Sequence, residues 1–143
     1  MKIFATIFTV LFLANPLFAQ DNIPTESTSA DKALLIVLRP VGGGFVFSTS
    51  INNELLGLTR GGDFLYKEID PGVIELLTAG GEGSHTLSVD VKAGNVYFIK
   101  IRHKAGFIAP KLDMKIMDNE WGWNKIQDLK MGTHTSSAYV SED

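Results

Sequence analysis

Tyr97–Arg102 (YFIKIR) and Lys111–Ile116 (KLDMKI) decide the fold. In the first run Tyr97, Ile99 and Ile101 oppose Lys100 and Arg102; in the second Leu112, Met114 and Ile116 oppose Lys111, Asp113 and Lys115. Successive side chains of a strand point to opposite faces. A period of two with charges on one side therefore predicts strands half buried against a single core.

The same grammar extends outward in both directions. Leu87, Val89 and Val91 face away from Thr86, Ser88 and Asp90. Ala33–Arg39 (ALLIVLR) is apolar on both faces, which predicts a central, doubly covered strand, ended by Pro40 and Gly42-Gly43-Gly44. Phe45, Phe47 and Ile51 share one face of the next run, with Ser48 and Ser50 on the other. Asn52-Asn53 then makes a tight hairpin into Glu54–Thr59, because asparagine tolerates positive φ. Arg60-Gly61-Gly62, Asp70-Pro71-Gly72, the Gly80–Gly83 loop and Lys92-Ala93-Gly94-Asn95 supply further turns. Near the C-terminus, Asp118 or Asn119 can cap a short helix with Trp123, Ile126 and Leu129 on one side and Gly132 just past its end. The expected fold is all-β: a single antiparallel β-sandwich of about seven to eight short strands with a short C-terminal helix or flap.

Residues 1–19 read as a cleavable secretory signal peptide. Lys2 precedes an apolar run from Ile3 to Ala14, Asn15-Pro16 breaks it, and Leu17-Phe18-Ala19 leads to a cut before Gln20. The apolar run is too short for the ~20 residues that a bilayer-spanning helix needs. The expected destination is the periplasm or the medium, with no stable membrane anchor after cleavage. Residues 20–31 (QDNIPTESTSAD) read as a flexible linker, 32–131 as the sandwich domain and 132–143 as a disordered tail.

The chain has no cysteine, so disulfides, a lipid-modified N-terminal cysteine and a thiol nucleophile are excluded. Loss of Lys2 with the leader leaves 12 basic side chains against 16 acidic, one unit more acidic than the −3 of the whole chain. Such a balance argues against a nucleic-acid partner.

No catalytic constellation stands out, and no cofactor is implied. His85 and His103 fall in step with inward-facing residues and are the candidate metal ligands, with Asp90 or Glu75 as a third; rim histidines capping the core are the simpler reading. His134 falls in the tail. No Gly-x-Ser-x-Gly elbow is present. Asp63, Glu68, Asp70 and Glu75 cluster in sequence as a two-carboxylate hydrolase would require, yet carboxylates in turns and on solvent faces are the simpler reading. The glycine clusters open no helix and so make no phosphate cradle. Two surface features are candidate binding residues. Lys100, Arg102 and Lys104 form a basic run that fits an anionic surface, or else guards an edge strand. Trp121 and Trp123 form either a platform for a glycan or protein, or a plug on the core.

From Leu34 to Leu129 the chain resembles the domain of unknown function 2846 family of exported bacterial proteins. The likeness rests on Arg39-Pro40 ending the first strand, Leu56-Gly57-Leu58 leading to Gly62-Asp63-Phe64, Asp70-Pro71-Gly72, and Val91–Lys100 (VKAGNVYFIK). Similar patterns occur in sandwiches built like the carboxypeptidase accessory domain and in PEGA repeats. The resemblance implies a sandwich and supplies no activity or functional residue; many such relatives carry a lipid-bearing cysteine that this chain lacks. The combined expectation is a non-catalytic binding module for an envelope protein, a glycan or an anionic surface. Small-molecule binding and a hydrolase site assembled from distant residues are the alternatives.

Overall fold

The computed structural model describes residues 30–41, 43–81, 83–104 and 111–134. The expected signal peptide, nearly all of the linker and the last nine residues lie outside the described residues.

Among the described residues ten strands and one helix follow in order: β1 (Ala33–Arg39), β2 (Phe47–Ile51), β3 (Glu54–Thr59), β4 (Asp63–Ile69), β5 (Gly72–Gly80), β6 (Gly83–Val91), β7 (Val96–Lys104), β8 (Lys111–Met117), α1 (Asn119–Ile126), β9 (Lys130–Met131) and β10 (Thr133–His134). They build two five-stranded sheets, ordered β8-β7-β1-β4-β9 and β10-β3-β2-β5-β6. The expected sandwich with a short C-terminal helix is what forms.

The turns follow from their residues. Asn52 and Asn53 take φ of 50° and 66° between β2 and β3, the mirror-image turn whose twist suits a two-residue hairpin. Gly94, at φ 79°, closes the turn between β6 and β7. Asp118 caps α1 by accepting the Trp121 N–H at 2.8 Å.

β1 is covered on both sides, as its sequence predicts. Ala33, Leu35 and Val37 enter the core between the sheets, while Leu34, Ile36 and Leu38 enter a second core beneath α1. Strands half buried against a single core were expected, so the second core is a correction. The outer face of the β1 sheet is not given over to water. Phe98 is fully buried there, and α1 lies directly on it. Gly122 makes this approach possible: a Cβ at that position would meet Phe98 Cγ at 2.1 Å. The residue that weakens the helix by propensity is the one that lets it dock.

Three further expectations are corrected. The sandwich is not wholly antiparallel, because β1 pairs in parallel with β7, and β4 with β9. Between β4 and β7 the chain passes through β5 and β6 of the other sheet, a crossover long enough to bring it back beside β1 in the same direction. Phe45 does not join β2: the strand begins at Phe47, and Phe45 is 73% exposed in the preceding loop. Ile116, expected inward with Leu112 and Met114, is 46% exposed near the end of edge strand β8.

Gly132 does not cap the helix, whose C-cap is Gln127. It belongs instead to a strap joining the sheets. Lys130 N–H donates to Gly62 O at 2.9 Å and Gly132 N–H to Phe64 O at 2.8 Å, after which Thr133 and His134 pair with Leu58 and Gly57 of the other sheet. Thr133 and His134, assigned by sequence to the tail, are therefore part of the fold. On the opposite side the sheets meet where β6 approaches β8.

Candidate functional site

At one end of the sandwich β1 finishes, β2 and β4 begin, β7 ends and β8 begins. The register of the β7–β8 ribbon sets Lys100 opposite Lys115, Arg102 opposite Asp113 and Lys104 opposite Lys111. Directly opposed residues of an antiparallel pair share a face. Lys111 and Lys115 are exposed, and Lys100 and Arg102 are half-exposed. The Lys104 side chain lies outside the described residues, so only its backbone pairing is placed. Two of the three rungs thus oppose like charges, an arrangement that costs folding energy. The middle rung is neutralised: Arg102 Nε donates to Asp113 Oδ2 at 2.6 Å.

Trp121 borders this face. Its ring lies 5.3 Å from Lys100 Nζ, and Trp123 packs edge-on against Phe98 with ring centroids 4.9 Å apart. Both tryptophans are half-buried and pack against the second core.

His85 and His103 have separate roles. His85, on β6, accepts the Met114 N–H at Nδ1 (3.2 Å), and its Nε2 lies 3.6 Å from Asp113 Oδ1. It thereby supplies a partner to a backbone donor on edge strand β8 and ties the two sheets together. His103 stacks on Phe47, with centroids 4.9 Å apart. Among the described residues no three histidine, aspartate or glutamate side chains come together as a metal would need. We expect His85→Leu to leave the Met114 N–H without its partner and to lower stability by about 1–2 kcal/mol in urea unfolding. An unchanged midpoint would remove this role.

Asp63 and Asp70 stand at opposite ends of β4, and Glu68 and Asp70 both face Lys32. Asp63 begins β4 and accepts the Arg60 N–H at 2.8 Å; Asp70 follows the far end of the strand and pairs with Lys32 Nζ at 2.6 Å. Seven residues of extended chain put those two about 23 Å apart, well beyond the spacing of a glycosidase pair. The Asp70 carboxylate in turn holds the Lys32 ammonium above its ordinary pKa.

Beside the ribbon lies the loop from Pro40 to Val46, and Arg39 is its clamp. The Arg39 side chain is fully buried, sits 3.6 Å from the Phe47 ring centroid, and donates through Nη1 to Phe45 O and, at 2.8 Å, to Thr59 O. Burial pushes its pKa below the ordinary value while Asp63 pulls the other way; a guanidinium starts so high that it stays charged throughout the physiological range. The loop is also tied to the β3–β4 turn, Gly61 N–H donating to Gly43 O at 2.9 Å and Gly62 N–H to Arg39 O at 2.7 Å. Held this way, Val41 and Phe45 are 77% and 73% exposed. A cleft of about 200 Å³ opens between Val46, Leu58, Arg60 and the strap, small beside the 300–1,000 Å³ of usual ligand pockets.

Sequence reading named Lys100, Arg102 and Lys104 as a candidate but missed Lys111 and Lys115 as their cross-strand partners, because register is invisible in a single strand. It also gave no role to Arg39, Val41 or Phe45. No family model, curated protein or solved structure matches this chain.

Proposed function

We infer that this is an exported, non-catalytic β-sandwich protein that binds an anionic component of the cell envelope through the outer face of the β7–β8 ribbon. The observation that carries the reading is the pair of like-charge rungs, Lys100 with Lys115 and Lys104 with Lys111, on a chain whose net charge is −3. Like charges placed opposite each other are unfavourable for the isolated fold. An anionic partner converts that cost into attraction and steers encounter. The resemblance to the domain of unknown function 2846 family adds no residue roles, so the reading rests on the ribbon alone.

A short linear polyphosphate is a suitable probe, since it presents repeated anionic phosphates without any other chemistry. The parent is expected to bind it, and Lys111→Glu/Lys115→Glu, which turns the like-charge rungs into opposite-charge pairs, to bind at least about tenfold more weakly while unfolding at the same or a higher urea midpoint. Both side chains are exposed, which makes them safe to reverse. Equal affinity of variant and parent would defeat the reading.

A further inference from the structure

Taking the anionic reading of the ribbon as its basis, we propose that the loop-bearing end of the sandwich docks on a bilayer of anionic lipids. Val41 and Phe45 enter the headgroup layer while Arg60 and Lys111 face the lipid phosphates. Three observations converge on this end.

The first is the exposure of two large apolar side chains on a loop that is pinned rather than slack. Arg39 holds the Phe45 carbonyl from below, and Gly61 and Gly62 hold the backbone at Gly43 and Arg39. With the Phe45 and Gly43 carbonyls held, Phe45 is presented to the solvent at a reduced ordering cost on docking, and Val41 is exposed beside it.

The second is the company these side chains keep. His103, near the end of β7, stacks on Phe47, two residues from Phe45. Arg60 is exposed in the turn to which the loop is tied. Register places Arg102 and Lys111 on the ribbon at this same end.

The third is that two of the described acids at this end are engaged, while Asp128, two residues before Lys130, is exposed. Asp63 accepts the Arg60 N–H and faces Arg39, and Asp113 binds Arg102. Glu82 lies outside the described residues. Apolar tips ringed by cations suit a surface whose outer layer is anionic and whose next layer is greasy. A soluble anionic polymer would satisfy the cations and leave Val41 and Phe45 in water.

The test is sedimentation of the full chain with vesicles of phosphatidylcholine alone, or of phosphatidylcholine mixed with phosphatidylglycerol, alongside polyphosphate binding. The comparison is between the parent and Val41→Ser/Phe45→Ser. Both carry the same apolar N-terminal stretch, so their difference isolates the loop. Expected results are a preference for the phosphatidylglycerol vesicles, a loss of about tenfold or more in the double variant, and unchanged polyphosphate affinity. Vesicle binding undiminished in the variant would overturn the proposal. A parent that binds polyphosphate but does not prefer phosphatidylglycerol would overturn it while leaving the ribbon reading in place. A parent that binds neither would defeat both.

Discussion

Phe98→Ala is expected to destabilise the protein by about 3–5 kcal/mol, a large share of what a domain this size possesses. Phe98 is fully buried on the outer face of the β1 sheet, with Gly122 against its ring and Trp123 edge-on. Truncation removes the surface on which α1 rests and leaves a cavity that a short helix cannot collapse to fill. Gly122→Ala gives the companion result. On an exposed helix that change gains up to about 1 kcal/mol. Here the new methyl would lie 2.1 Å from Phe98 Cγ, so overpacking should reverse the sign and cost about 1–3 kcal/mol. Urea unfolding followed by tryptophan fluorescence reads both, because the chain's two tryptophans are Trp121 and Trp123 on this helix. A neutral or stabilising Gly122→Ala would show that α1 does not pack as described.

The second large effect is expected at Arg39. Replacing it with methionine keeps an unbranched side chain of similar reach but removes the donors to Phe45 O and Thr59 O. It also leaves Asp63, its register partner across the β1–β4 pair, without that facing charge. Charge-assisted hydrogen bonds contribute about 1.5–3 kcal/mol each. A loss of about 3 kcal/mol is the expected outcome. The loop should loosen with it: amide exchange at Gly61 and Gly62, which donate to Gly43 O and Arg39 O, should accelerate. Unchanged stability and unchanged protection at these two amides would contradict the clamp.

Much of this fold is legible in local sequence. Ala33–Arg39 announces a strand buried on two sides, and Asn52-Asn53 announces a hairpin, because each signal is the residue's own conformational or solvation preference. What escapes is what depends on distant chain. The position of Phe98, in step with Lys100 and Arg102, reads as solvent-facing until a helix twenty-odd residues later lies over it. Gly132 reads as a helix end, yet it sits where a side chain would strike Leu58 O at 2.6 Å. Phe45 continues the period of Phe47 and Ile51, but the glycines before it release the chain from the sheet one turn early. Arg39 reads as the charged end of a strand; it is buried because the loop after it returns. The candidate site was half visible for the same reason. Lys100 and Arg102 alternate within one strand, while Lys111 and Lys115 join them only through the register of a second.

The salt dependence of polyphosphate binding by the parent and by Lys111→Glu/Lys115→Glu tests the ribbon most directly. If opposed cations on an exposed face attract the partner, parent affinity should fall steeply as the Debye length shrinks from about 10 Å at 0.1 M toward about 3 Å at 1 M. The variant should bind weakly and with a much shallower slope. Affinity indifferent to salt, or equal slopes for the two proteins, would contradict the account.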